Sequence, residues 1–313
     1  MLPGRMDAWR GVLLRVPDAH RPGLRIEAAP PRHLRIVQDG EPLLWAVIAD
    51  DHSDMSWCRS GSWLPIVPAI TADETRRLAA NPGARWWQSW AHGFVERLEH
   101  SSTAPLYPGT WVLRPAAMTR DHPAADAASA EVVVERVWSD PDLLAAKHMG
   151  ELDWFSEAGG LLPLRELPAA DDGRVKAYRK QVREGSIAPV LAWWINPLAC
   201  HVILDGHARL VASLSEDSAP PLLALTAIRD PDEVPPDATG EAFYEARREG
   251  IYAHGGAGTR HAAAIEQVIA EAQLRREEQA TTRGWLMDGG LAAWEREVAS
   301  RVPGWQRTGI DSG

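Results

Sequence analysis

The chain has 313 residues and a net charge of −10, so it carries an acidic surplus that argues against coating nucleic acid, which relies on basic patches. No apolar run approaches the roughly 20 residues of a membrane span, and the N-terminus lacks a basic-then-apolar signal pattern. The two cysteines, Cys58 and Cys200, have no CxxC or metal-finger spacing, so a reducing, cytoplasmic setting is expected.

In chain order, residues 1 to about 135 are rich in Pro, Gly and Trp and contain short β-type runs at 11–16, 33–37, 43–48 and 110–114. Gly40 and Gly61 punctuate them, as in antiparallel hairpins. Asp50-Asp51-His52-Ser53-Asp54 offers oxygen ligands and an imidazole without calcium-loop spacing, and a solvated turn is expected. Thr71 and Glu74 form a capping box for a helix over 71–80, and residues 86–98 should form a second. Residues 115–130 have no apolar period and predict a linker, after which 131–138 resumes as a strand.

A denser pattern follows. Residues 161–168 form a short strand with a Pro exit, and Asp171-Asp172 opens an amphipathic helix carrying Val175, Tyr178 and Val182 that ends at Gly185. Residues 188–195 are an apolar strand, Asn196-Pro197 a turn, and 220–228 another strand. Beyond Ile228, residues 229–240 are a Pro/Asp linker, and most of the remainder is expected to be helical, including an amphipathic stretch at 259–279. His254-Gly255-Gly256-Ala257-Gly258 is Gly-rich but lacks a preceding strand and a Lys-Ser/Thr ending, so a connection is expected. The fold class is therefore α+β, with a β-rich domain over 1–135, a small α/β domain over 136–230 and a helical C-terminal region over 231–313.

Tryptophan is the compositional outlier, with 15 in the chain. Clusters at Trp57/Trp63, Trp86/Trp87/Trp90 and Trp193/Trp194 either fill a core short of Phe or, around Trp57, Trp63 and Trp87, line an aromatic pocket for a base, sugar or cation. Neighbours on a strand alternate sides. One of Trp193 and Trp194 is therefore expected to point away from the main core, towards another domain or a substrate pocket.

The most chemically loaded stretch is 201–214. An apolar run, Val202 to Leu204, stops at Asp205-Gly206, and a segment with helical spacing (Leu210, Val211, Leu214) follows. Such a strand–turn–helix junction leaves backbone N–H groups unpaired where the helix dipole favours an anion. Asp205, Gly206, His207 and Arg209 at that point are candidates for binding a phosphate-bearing ligand. The other reading of the same residues is a helix start in which Asp205 caps and Arg209 is solvated.

The order of elements over about 160–228, with Ile203-Leu-Asp-Gly-His-Ala-Arg-Leu210 at its centre, resembles the ParB/sulfiredoxin-like superfamily, and the motif looks most like the "LDGHHR" signature of its free-serine kinase branch. Ala208 stands where that branch has a second histidine, and His207 where sulfiredoxins carry their reactive cysteine. The resemblance implies a nucleotide-binding α/β unit, leaning towards an ATP- or ADP-dependent phosphotransferase acting on an amino-acid hydroxyl, with CTP as a further candidate nucleotide. It implies Mg2+ held at Asp205, and a catalytic carboxylate among Asp171, Asp172 and Glu166. The alternative is a non-catalytic nucleotide- or ligand-responsive module acting through a protein partner or a second copy of the chain. Expected partners are thus a nucleotide and a small-molecule or peptide substrate, with neither membrane nor nucleic acid.

Overall fold

The computed structural model describes residues 11–17, 21–49, 54–80, 83–119, 135–138, 144–153, 160–229, 280–302 and 304–305. The expected features at 50–53, 120–130, 230–279 and 306–313 lie outside these. The chain is an α+β fold built on two sheets.

The smaller sheet comes from the first half of the chain. Strands β2 (Leu24–Ala29), β3 (His33–Gln38), β4 (Glu41–Ile48) and β5 (Asp54–Arg59) form an antiparallel meander, completed at one edge by β8 (Met149–Asp153). The turn between β3 and β4 uses Asp39 and Gly40, both at positive φ, which suits the right-handed twist of a tight hairpin. Strand β4 shows no alternation of buried and exposed positions after Pro42 because both faces of the sheet are covered.

The larger sheet mixes regions far apart in sequence. It runs β1 (Val12–Val16), β6 (Gly109–Thr119), β12 (Leu222–Ile228), β10 (Val190–Ile195), β11 (Cys200–Asp205), β9 (Leu161–Pro163), with β7 (Glu135–Trp138) beside β6 and β13 (Ala280–Thr281) beside β12. Strands from before and after residue 135 thus share one hydrogen-bonded ladder, since Leu225 of β12 pairs with Leu113 of β6. Residues 115–119, expected to be linker, belong to β6: β12 and β7 supply partners for that backbone, and Ala116 and Met118 are buried. A local apolar period is unnecessary where neighbouring strands satisfy the N–H and C=O groups.

Five helices complete the described residues: α1 (Ala72–Ala79), α2 (Ala84–Glu99), α3 (Gly173–Arg183), α4 (His207–Ser215) and α5 (Gly290–Arg301). Thr71 caps α1 by accepting from Glu74 N, and Asp172 caps α3 by accepting from Arg174 N (2.7 Å). The main core lies between the two sheets, where Trp57, Trp90 and Phe94 meet Trp193, Leu204 and Leu225. On the far side of the larger sheet, Ala192, Ile203, Leu222 and Ala224 pack with Leu210 of α4. The outer face of the smaller sheet carries Trp45 and Val47 against Trp294 and Val298 of α5. Residues 280–286, within the region expected to be helical, instead cross from β13 on the larger sheet to β14 (Gly284–Leu286) on β2 of the smaller one. No helix among the described residues is long and apolar enough to cross a membrane.

Candidate functional site

Strand β11 is apolar and buried up to Leu204, and it hands over to α4 at Gly206. That residue has φ +102°, and a Cβ there would come 3.1 Å from the Val190 Cα and 3.0 Å from the Arg209 Nη2. Only glycine accommodates both the left-handed backbone and the close approach of β10. No side chain caps α4, and its first internal bond is from Leu210 N to Gly206 O (2.8 Å), so the N–H groups of its first turn face the junction without a helical partner.

Arg209 sits in that first turn, where the dipole disfavours a cation. Its Nη2 donates to Asp205 Oδ2 (2.8 Å) and Pro189 O (2.9 Å), tying α4 to β10 and β11, and the residue is buried. Asp205 and Arg209 therefore shape the turn as a pair. His207 is 1% exposed, and its Nε2 has no hydrogen-bond partner. Burial, followed by the charges of Arg165, Arg209 and Arg59, holds its pKa well below the ordinary imidazole value. It is a neutral ring in a cationic neighbourhood.

The residues around His207 come from both sheets. Arg59, the last residue of β5, is 3% exposed and donates from Nη1 to Pro163 O (3.2 Å) and from Nη2 to Ala146 O, while its Nε is unpartnered. Its guanidinium lies 4.9 Å from the ring centre of Trp57. Burial pulls its pKa down to about 10, opposed only by the charge of Glu166. Arg165, just after β9, stacks over Trp63 at 4.6 Å and has no hydrogen bond or ion pair among the described residues. Its pKa is lowered first by burial and then by Arg174, with Asp205 and Asp172 acting against the shift. Trp63 in turn meets the His207 ring at 5.4 Å, inclined at 74°, and its indole N–H is buried without an acceptor. Buried donors lacking acceptors are uncommon in native proteins, and here those of Arg59, Trp63, Arg165 and Arg209 gather around one ring.

The remaining expected site residues fall into two groups. Asp172 lies close enough to Arg165 for its charge to act there, but its carboxylate is engaged in capping α3, accepting from Arg174 N and Val175 N. Glu166 and Asp171 are exposed, the former acting on Arg59 through its charge. Trp193 and Trp194, by contrast, are both buried in the core. Strand β10 is central and covered on both faces, so strand alternation leaves neither ring at an open surface; the Trp194 N–H donates to Asn196 Oδ1. Trp57 and Trp87 are likewise core residues, and of the three proposed for an aromatic pocket only Trp63 is part-exposed.

This donor set suits an oxyanion. Arg59, Arg165 and Arg209 have one bonded carboxylate among them, Asp205, while Glu166 and Asp172 act only through their charge, so a metal ion at Asp205 would compete with Arg209 for that ligand. Among the described residues, no group of three or more His, Cys, Asp and Glu side chains is arranged to hold a metal. No local motif marks Arg59 or Arg165, because they come to His207 from the end of β5 and from just after β9. Their only local mark is an arginine at the end of a short apolar strand. Comparison with family models, curated proteins and solved structures finds no match to this chain.

Proposed function

We propose that this chain binds a phosphate-bearing nucleotide at the junction of β11 and α4, in the manner that its resemblance to ParB/sulfiredoxin-like units implies. One observation carries the reading: the buried, unpartnered Nε2 of His207 lies among the charges of Arg59, Arg165 and Arg209 at an uncapped helix start. Desolvated guanidiniums without a full set of carboxylates are stabilised by an incoming oxyanion, and Arg is suited to grip one with two parallel bonds. Calorimetric titration with ATP, ADP, CTP and pyrophosphate, with and without magnesium, tests it. Binding that falls at least tenfold in Arg165→Ala is expected; absence of nucleotide, phosphate and sulfate binding to the native chain overturns it.

Phosphoryl transfer is a second reading, favoured by the presence of Asp172 and Asp205 on the same guanidinium, Arg165. A carboxylate there could accept a hydroxyl proton from a small-molecule substrate. It predicts that Asp171→Asn or Asp172→Asn abolishes turnover while nucleotide affinity stays near native. Nucleotide binding without turnover on any hydroxyl substrate leaves instead a ligand-responsive module that acts through a partner.

A further inference from the structure

Trp63, which meets the His207 ring, and Arg165, whose charge acts on it, are held very differently. Trp63 belongs to an irregular segment after β5 that is pinned to the smaller sheet next door in sequence: Gln38 donates from Nε2 to Leu64 O (3.0 Å) and accepts from Leu64 N (2.9 Å). The indole is thus a fixed platform, partly buried, beside a Leu64 side chain that is 60% exposed. Arg165 has no such anchor. Among the described residues its guanidinium stacks on Trp63 at 4.6 Å and feels the charges of Asp205 and Asp172 without bonding to either, and its Nε is buried without an acceptor. A long side chain held by a cation–π stack and no hydrogen bond is free to exchange that contact for a charged hydrogen bond, which is roughly twice as strong as a neutral one.

We infer that Trp63 and Arg165 form an exchangeable stack that makes this site select a nucleoside phosphate over a bare phosphate. With the site empty, the guanidinium covers the indole. When a phosphate enters beside His207, Arg165 follows the charge, and the planar base of the ligand takes the vacated indole face. The chemistry fits both halves of such a ligand: the base meets an aromatic surface with an apolar lip at Leu64, and the phosphate meets Arg59, Arg165 and the first turn of α4. Base–aromatic stacking tolerates any base, so the preference is for a nucleoside over none rather than for one base over another.

This inference rests on the nucleotide reading, and a paired titration separates the two. ADP and pyrophosphate carry similar charge and differ by the nucleoside. The native chain is expected to bind ADP about tenfold more tightly than pyrophosphate, a ratio worth about 1.4 kcal/mol. Trp63→Leu should bring ADP down to the pyrophosphate level and leave pyrophosphate unchanged, whereas Trp63→Phe should keep most of the preference. Arg165→Gln, which leaves the platform untouched, should weaken both ligands at least tenfold while preserving or enlarging their ratio. Equal affinities in the native chain, or an unchanged ratio in Trp63→Leu, overturn the stack and leave the nucleotide reading standing. Binding of neither ligand overturns both. Should Trp63→Leu fail to fold, the Arg165→Gln ratio decides: a preference that disappears with the arginine alone overturns the inference.

Discussion

Two arginine-rich clusters in this molecule have opposite electrostatic character. In the smaller sheet, Glu27 is buried and accepts from Arg21, Arg25 and Arg35, and Arg35 also reaches Glu297 on α5 at 2.5 Å. Glu297 accepts in addition from the Trp45 N–H. Burial works to raise the Glu27 pKa, but the hydrogen bonds from Arg35 and Arg25 outweigh it and hold the carboxylate below its ordinary range. Every guanidinium there has a carboxylate. Around His207, Arg59 bonds only to backbone carbonyls, Arg165 bonds to nothing among the described residues, and Arg209 alone has an acid. A network whose guanidiniums are bonded to carboxylates holds sheet and helix together; one whose guanidiniums mostly lack bonded acids keeps donors without acceptors.

The sharpest way to break this contrast is to remove one group from each cluster. Glu27→Gln should destabilise the protein by about 2–3 kcal/mol in denaturant unfolding. That is at or just below the usual range for breaking a buried ion pair, because Arg21 is well exposed and Arg25 and Arg35 are only partly buried. Arg59→Met, in contrast, removes a buried charge but leaves the Pro163 and Ala146 carbonyls without their donor, so the two effects partly offset and the loss should stay below that of Glu27→Gln while anion binding falls. A larger loss for Arg59→Met than for Glu27→Gln would erase the distinction.

Gly206→Ala alters the second cluster through the backbone. The left-handed φ and the contact with Val190 should together lower stability by about 2 kcal/mol, and the displaced Arg209 should weaken anion binding in the same variant. Unchanged stability would mean that the junction relaxes freely.

Acidification separates the clusters by pH window. The Glu27 pKa is lowered on folding, so its stabilisation is present above the unfolded carboxylate value of 4.5 and disappears as pH falls through the lower folded value. The His207 pKa is also lowered, so its neutral form contributes stability above the unfolded imidazole value of 6.5 and that contribution is lost as pH falls below it. An anion beside His207 raises its pKa, so binding near or below pH 6.5 should take up protons. Titration in buffers of different ionisation enthalpy reads the net exchange, which includes the phosphate's own titration at about pH 6, and a smaller uptake is expected in His207→Asn than in the native chain. Equal uptake in the native chain and the variant would remove His207 from the site. The smallest effect concerns Asp172: replacing it with Ala should cost about 1 kcal/mol as a lost helix cap and leave anion affinity within about twofold.

Much of the local structure could be read from the chain. Thr71 and Asp172 mark helix starts because side-chain capping depends on a few consecutive residues, and Asp205-Gly206 marks one without a side-chain cap, through the left-handed backbone of Gly206; the Glu74 carboxylate bonds Arg97 rather than closing a box. Strands β2, β5 and β8 left weaker marks: Leu24–Ala29 interleaves Arg25 and Glu27 with its apolar residues, and Glu27 is buried with its charge because Arg35 of β3 joins Arg25 and Arg21 around it. The continuation of β6 through Thr119 and the crossing of residues 280–286 were hidden for a similar reason. Backbone hydrogen bonds between strands are supplied by segments a hundred or more residues away, and they leave no local period.

The sequence by itself determined the α+β class, the strand-to-helix turn at Asp205-Gly206 and the polar content of that turn, all of which depend on φ/ψ preferences and spacing within about ten residues. Tertiary structure alone decided which charges face one another. It turned Arg209 inward onto Asp205, buried Trp193 and Trp194 on both sides of a central strand, and brought Arg59, Trp63 and Arg165 to His207 from separate elements. Electrostatic interactions act through space between groups remote in sequence, so their balance is fixed only when the sheets pack.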